Sequence, residues 1–311
     1  LLSFLAAGLG SRGIFALEVT DRLEGQLRAS YIALGAVQHA LKILAQDPSP
    51  SADGPNEQWV NNQMLFHHQS LGAGHFTISY TMDDAASTTA YGFVDEERKL
   101  NLNTMPGEVF RNLLEDVGGL REDQALMVAE AIEDWRDEDT TARPDGAENF
   151  YYLGLEDAYE CKDGPFDNVE ELRLVKGVSP ELFARVAPYL TVYGSGGVNL
   201  NTARPPVLRA LGVSEQGVNG LVFYRSGEDN TEGTTDDRAL SALTALSGEL
   251  AKSVPTEDIN RLTQLAQDNL VTVQSEDFRL SITAQTEQMR YPVSLQCVIS
   301  RSGQIKAWTE R

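Results

Sequence analysis

Strict alternation of apolar and polar side chains, the mark of a strand with one face on a core, occurs near both ends of this 311-residue chain and is missing between them. Phe76, Ile78, Tyr80 and Met82 alternate with Thr and Ser, and small residues then lead to Tyr91–Val94, which reads as a hairpin with a long loop. The pattern returns in Phe278, Leu280 and Ile282, again in Val293, Leu295, Cys297 and Ile299, and last in Ile305–Trp308. The economical arrangement is α+β: one antiparallel sheet drawn from 47–94 and 270–311, with an α-helical domain over 95–269 inserted between its strands.

Residues 1–46 read as one long helix. Leu23, Leu27, Tyr31, Leu34, Val37 and Leu41 recur every three or four positions, with Asp21, Arg22, Glu24 and Arg28 between them. At ~1.5 Å per residue such a helix is roughly 65 Å long, although Gly25 and Gly35 weaken an unbroken rod. The opening LLSFLAAGL is shorter than the ~20 residues that cross a bilayer; without an initiating Met, it is expected to be the tail of a truncated N-terminal membrane anchor.

A formal charge of −21 argues against binding nucleic-acid phosphates, which needs clustered Lys and Arg, and against anionic membrane surfaces. No HExxH, GxSxG or P-loop is present, and His67 and His68 fall in a polar linker, so no enzyme is expected. Cys161 and Cys297 are either one bridge in an oxidising compartment or two buried thiols.

The central domain contains an internal repeat. Leu100-Asn-Leu-Asn103-Thr104 matches Val198-Asn-Leu-Asn201-Thr202, and each Asn-Thr pair is expected to cap the helix that follows. Each copy then passes through a second helix ending in an aromatic–Arg pair, Trp135-Arg136 or Tyr224-Arg225, and an acidic loop. A helix pair is expected over Glu171–Val186, with Gly177 at a left-handed turn, Ser179 as N-cap and Pro180 as first helical residue; Gly212-Val213-Ser214 repeats that turn. Such units suggest helix-hairpin-helix or SAM-like elements, but the acidic surround does not suit phosphate.

The acidic loops suit a hard cation such as calcium, which takes six to eight oxygens. Asp137, Asp139, Asp145 and Glu148 converge if the first loop folds back, with Asp157, Asp163 and Asp167 further along. Glu228, Asp229, Asn230, Glu232, Asp236 and Asp237 form a looser second candidate. Neither follows EF-hand spacing.

The run Asp134-Trp135-Arg136-Asp137-Glu138-Asp139, then Gly146-Ala147-Glu148, Tyr151-Tyr152, Val169–Val178 and Val198–Ala203, resembles the type II secretion minor pseudopilin K (GspK) family, in order along essentially the whole chain. Arg136 stands where that family more often has an apolar residue. The resemblance implies a pilin-like fold with a long N-terminal helix, a sheet and a large inserted helical domain, structural calcium near Asp137, Asp139 and Glu148, and no catalysis. It further implies inner-membrane anchoring, a periplasmic ectodomain at the pseudopilus tip, contact with secreted substrates, and minor pseudopilins I and J and the major pseudopilin as partners, against whose helices the stripe of Leu23, Leu27, Tyr31, Leu34, Val37 and Leu41 is expected to pack. The inserted domain is expected to cap the fibre. A binding module outside any pilus and a minor pilin of a type IV pilus or competence system are the alternatives.

Overall fold

The computed structural model describes the backbone of residues 2–48, 51–82, 88–234, 236–287, 289 and 292–310, and side chains from Thr20 onward apart from Asp21. The chain divides into two compact units, Leu1–Asp47 with Gln58–Val94 and Phe278–Arg311, and Pro48–Glu57 with Asp95–Asp277.

The first unit is a helix on an antiparallel sheet. Helix α1 (Leu2–Ala45) runs for 44 residues, and Gly25 and Gly35 do not break it. At Gly35 a methyl group would lie 2.3 Å from Leu71 Cδ2, so glycine lets the sheet approach the helix there. Strands β1 (Gln69–Leu71), β2 (Gly74–Thr81), β9 (Asp277–Thr286), β10 (Val293–Ser300) and β11 (Ile305–Glu310) lie in that order, and β3 (Thr89–Tyr91) pairs with the end of β2. The β2–β9 register sets Phe76 opposite Ala284 and Ile78 opposite Ile282, so both apolar sets share one face. The expected hairpin forms between β2 and β3; its loop at 83–87 lies outside the described residues.

The face that α1 lays on the sheet carries small residues. Ala29, Ala33, Ala36 and Ala40 are at most 1% exposed, with Ile32, Val37 and Leu44 beside them. Val37 was expected on the partner-binding stripe and is instead fully buried in this core, while Leu41 is half-buried against it. Leu23, Leu27, Tyr31 and Leu34 point the other way and are 41–67% exposed. Short alanines let the helix backbone sit close to the sheet, which leaves the longer side chains for the outer face. Trp59 stacks on Phe93 at 5.6 Å and meets Phe278 edge-on, closing the end of the core behind the four-residue helix α2 (Gln63–Phe66). The chain leaves the sheet through β4 (Val94–Asp95).

The second unit is helical and built twice from one pattern. Copy one has β5 (Leu100–Asn101), α3 (Gly107–Asp116), α4 (Glu122–Arg136), the short α5 (Asn149–Tyr152), α6 (Pro180–Val186) and β6 (Leu190–Thr191). Copy two has β7 (Val198–Asn199), α7 (Pro205–Ala210), α8 (Glu215–Arg225), α9 (Leu246–Leu250), α10 (Thr256–Gln267) and β8 (Val271–Thr272). Each copy closes on a two-residue parallel ladder, Leu100 beside Leu190 and Val198 beside Val271.

The Asn-Thr pairs do not cap helices as expected. Pro106 and Arg204 occupy the N-cap positions, without a side-chain bond. Asn103 instead pairs with the backbone of Phe166 through both amide atoms, at 3.0 and 2.7 Å, and Asn201 does the same with Leu240 at 3.1 and 2.7 Å. An Asn that matches one residue's N–H and C=O ties a distant loop to the turn, which a cap cannot do. The expected pair over Glu171–Val186 is a 3-10 turn at Val169–Leu174 followed by α6. Its linking turn is as expected: Gly177 has φ +82°, Ser179 accepts from Leu182 N–H at 3.1 Å, and Pro180 starts the helix. Gly212 (φ +86°) and Ser214, which accepts from Gly217 N–H at 3.1 Å, repeat it.

The boundaries differ from the sequence expectation because backbone pairing extends the helical unit. Asp53 N–H donates to Val273 at 2.8 Å and its carboxylate accepts from Ser275 N–H at 2.7 Å, drawing Pro48–Glu57 and the segment up to Asp277 into this unit. Beside them Asp95, 1% exposed, accepts from Asn199 Nδ2 at 3.1 Å, from the Ser275 hydroxyl at 2.7 Å and from the Thr202 hydroxyl. Glu97, also 1% exposed, accepts from the N–H groups of Ser195, Glu276 and Asp277. Burial, and then the Asp95 charge, push Glu97 up to about 8; burial also raises Asp95.

Cys161 and Cys297 are both free. Cys161 packs in the core of the helical unit and Cys297 in that of the sheet, so the bridge that the sequence left open is not made.

Candidate metal centre

The loop after α4 folds back on its own helix because Asp134 gives it an anchor. Asp134 is fully buried and accepts from Arg143 Nη1 at 2.6 Å, from Arg143 N–H, and from Ala147 N–H at 2.8 Å. Gly146 fits here because a methyl group would lie 2.0 Å from Asp134 Oδ2. Arg143 also bonds Asp137 Oδ2 at 2.6 Å and pairs with Glu133 at 3.2 Å. Lys176 caps the fold from outside, donating to the carbonyls of Asp145 and Gly146 at 3.0 and 2.8 Å.

This fold gathers carboxylates. Oxygens of Asp137, Asp139 and Glu148 lie within 4.8 Å of one another. Asp145 does not join them. Its backbone N–H is held by Glu130 at 2.7 Å, and its side chain belongs to no such group among the described residues. A second triplet shares Glu148: one oxygen each from Glu148 and Asp163 and the Cys161 sulfur also lie within 4.8 Å. Asn149 positions this side, accepting from Cys161 N–H at 2.8 Å and donating to Asp163 Oδ2 at 3.3 Å. Trp135, edge-on to Tyr152 at 5.2 Å, forms an aromatic wall with Tyr159 and Phe166.

Glu148 is 4% exposed, and neither of its oxygens makes a hydrogen bond of ordinary geometry; Asp137 Oδ1 and Asp163 Oδ1 are likewise buried and unmatched. Burial first, then the charges of Asp163, Asp134 and Asp137, push the Glu148 carboxyl up to about 7. Buried acceptors without donors are costly, and a cation among the oxygens of Asp137, Asp139 and Glu148 would offset that cost. The donor set therefore fits a hard divalent ion. Arg136 adds no positive charge that fills the cluster, since its guanidinium is spent on the carbonyls of Leu102 and Met105 and on the Phe110 ring.

The second acidic loop is closed on itself. Asp236 accepts from Glu228 N–H and the Thr234 hydroxyl at 2.7 Å, Asp237 accepts from Gly233 N–H at 2.6 Å, and Glu232 pairs with Arg225. Its acids form no triplet among the described residues. Sequence reasoning missed Asp134 and Cys161 as parts of the first site. The D-W-R-D-E-D run was the available signal for Asp134; nothing local marked Cys161.

The family model described as type II secretion system (T2SS), protein K matches residues 91–195, a span that holds the whole carboxylate cluster. The type II secretion system protein K of Pectobacterium carotovorum subsp. carotovorum is 32% identical over 224 residues, covering 69% of this chain and 67% of that protein. This chain belongs to the type II secretion system protein K family. Protein K of Klebsiella pneumoniae and of Aeromonas hydrophila are each 27% identical over 211 and 217 residues. The chain spans a little under two thirds of their length, 63% and 64%. Its fold is that of a chain in the crystal structure of the GspK–GspI–GspJ complex from the type 2 secretion system of enterotoxigenic Escherichia coli, with a TM-score of 0.71 at 15% identity over 94% of this chain and 99% of that one. Among the described residues of this chain, no helix is long and apolar enough to cross a membrane.

Proposed function

We propose that this chain is a minor pseudopilin that joins minor pseudopilins I and J at the tip of the type II secretion pseudopilus, in the periplasm, and supports protein export across the outer membrane. The observation that carries this is the outer ridge of α1. Leu23, Leu27, Tyr31 and Leu34 stand exposed along a helix whose opposite, alanine-lined face is already buried on its own sheet. An exposed apolar ridge at helical spacing is suited to burial against other helices. Family membership and the likeness to a chain solved with GspI and GspJ support the choice of partners. In this reading the major pseudopilin follows below, secreted substrates meet the helical unit, and the apolar opening of α1 lies nearest the inner membrane. The role is structural, and the paired Gly-x-Ser turns of the helical unit serve as helix-hairpin-helix connections within it.

The cation in this reading is calcium. Asp137, Asp139 and Glu148 would hold it, and it would supply the positive charge that the buried Glu148 lacks. Its part is to fix the loop on α4, as a structural ion.

The test is co-purification of Gly13–Arg311 with soluble minor pseudopilins I and J from the same source, in calcium and again after chelation. A stable ternary complex is expected in calcium and a weakened one after chelation. Absence of a complex in both conditions, with all three chains folded, overturns the assignment.

A further inference from the structure

Three of the chain's four histidines gather on one surface of the first unit, and two of them touch. We infer that His68 and His75 form a site for a divalent transition metal of the copper, nickel and zinc class, with copper(II) held most tightly. The inference uses neither the carboxylate cluster of the helical unit nor the secretion reading.

The hairpin of β1 and β2 builds the pair. Ser70 lies opposite His75, and Gln69 opposite Phe76. Phe76 is buried in the core, so strand alternation sends His75 to the other face of the sheet, where it is half-buried. His68, one residue before β1, takes a left-handed backbone with φ +53° and donates its N–H to Thr77 Oγ1 at 3.0 Å. Its exposed ring stacks on that of His75, with centroids 3.7 Å apart and planes at 27°. Among the described residues no hydrogen bond reaches either ring, so a nitrogen of each is open to a ligand. Burial first, then the charge of His68, lowers the pKa of His75, which favours the neutral imidazole that binds metal.

The other two histidines are engaged elsewhere. His39 packs against Phe66 and Phe76, and its Nε2 lies 3.0 Å from the Leu65 carbonyl. His67 faces Tyr91 at 4.4 Å, meets Gln63 Nε2 at 3.4 Å and stands 6.3 Å from His68 between ring centroids.

Neutral imidazole suits copper, nickel and zinc, whereas calcium and magnesium take oxygen. Two imidazoles, with waters completing the shell, meet the tetragonal preference of copper(II), which stands highest of these ions in affinity. A metal–nitrogen bond is about 2.0–2.1 Å, so rings this close need only a rotation of the exposed His68 to aim both lone pairs at one ion. Any ring proton passes to solvent on binding, and affinity therefore falls as the imidazoles protonate.

Copper(II) is the probe, added to the full chain in excess calcium, which masks the carboxylates. At one equivalent, electron paramagnetic resonance is expected to show nitrogen hyperfine coupling from imidazole, and His67→Gln is expected to keep it. His68→Gln and His75→Gln are each expected to weaken copper binding at least about tenfold, the loss that even an outer hydrogen-bond partner of a metal ligand can bring. Circular dichroism first establishes that each variant folds. Should one fail, proton NMR of the native chain takes its place, with copper expected to broaden the ring signals of His68 and His75 before those of His67 and His39. No nitrogen coupling at one equivalent, unchanged affinity in either folded variant, or first broadening at His67 or His39 overturns the inference.

Discussion

Arg136 and Arg225 make the same pair of bonds in the two copies of the repeat. Arg136 donates to the carbonyls of Leu102 and Met105, and Arg225 to those of Leu200 and Ala203 at 3.0 and 2.8 Å. In both, the last residue of the second helix holds the turn that precedes the first. The copies differ in burial: Arg225 is 1% exposed, while Arg136 is half-buried.

Arg225→Met is therefore expected to cost about 3 kcal/mol, since it strips a charged donor from two buried carbonyls and from Glu232. Arg136→Met is expected to cost less, because the Arg136 side chain is itself partly open to solvent, whereas that of Arg225 is not. Urea unfolding of each variant reads the difference, and equal costs would contradict the burial argument.

The outer and inner faces of α1 are expected to separate function from stability. Leu27→Lys or Tyr31→Asp leaves folding unchanged within about 0.5 kcal/mol and abolishes capture of minor pseudopilins I and J. Val37→Ala, at the fully buried position, costs about 2 kcal/mol and spares capture once the protein is folded. Thermal melts and pull-downs on the same preparations decide.

Calcium is expected to raise the melting temperature by satisfying the carboxylate cluster, with about 2.7 kcal/mol of stabilisation at a hundredfold excess over Kd. Asp139→Asn removes that rise and Asp145→Asn leaves it, since Asp145 stands outside the cluster. Glu148→Gln also removes it, yet melts higher than the native chain in chelator, because an unmatched buried charge is gone.

Stability is expected to fall as pH rises from about 4.5 to about 8. Glu97 in the folded chain sits at about 8, above its ordinary 4.5, so within that window the native state holds a proton that the unfolded chain has released. The contribution is whole below the lower value and lost on passing the upper one. Glu97→Gln is expected to flatten the profile of urea midpoint against pH; an unchanged slope would move the effect to other groups.

The carboxylate site was legible in part. Asp137, Asp139 and Glu148 announce themselves as acids around a Gly, but whether a loop folds back depends on what holds it. Here that is Asp134 within the helix, Arg143 and Lys176, none of which is adjacent in sequence to all three acids. Asp145 shows the limit: it has the right chemistry in the right loop, and its neighbour across the helix, Glu130, turns its backbone elsewhere. The Asn-Thr pairs were misread for a similar reason. An Asn before a helix satisfies either a local N–H or a distant backbone, and only the position of Phe166 or Leu240 decides between them.

The sequence by itself determined the long helix, the sheet drawn from both chain ends and the doubled helical unit, because periodicity and repetition are local properties repeated often enough to be unambiguous. It also determined the Gly-x-Ser turns, where a left-handed φ and an N-cap leave few alternatives. The tertiary structure decided which face of α1 is core, since alanines outcompete leucines where a backbone must come close to a sheet. It also decided which acids lie together and left Cys161 and Cys297 as free thiols, each buried in its own core, because burial and partner choice depend on residues far along the chain that no local pattern encodes.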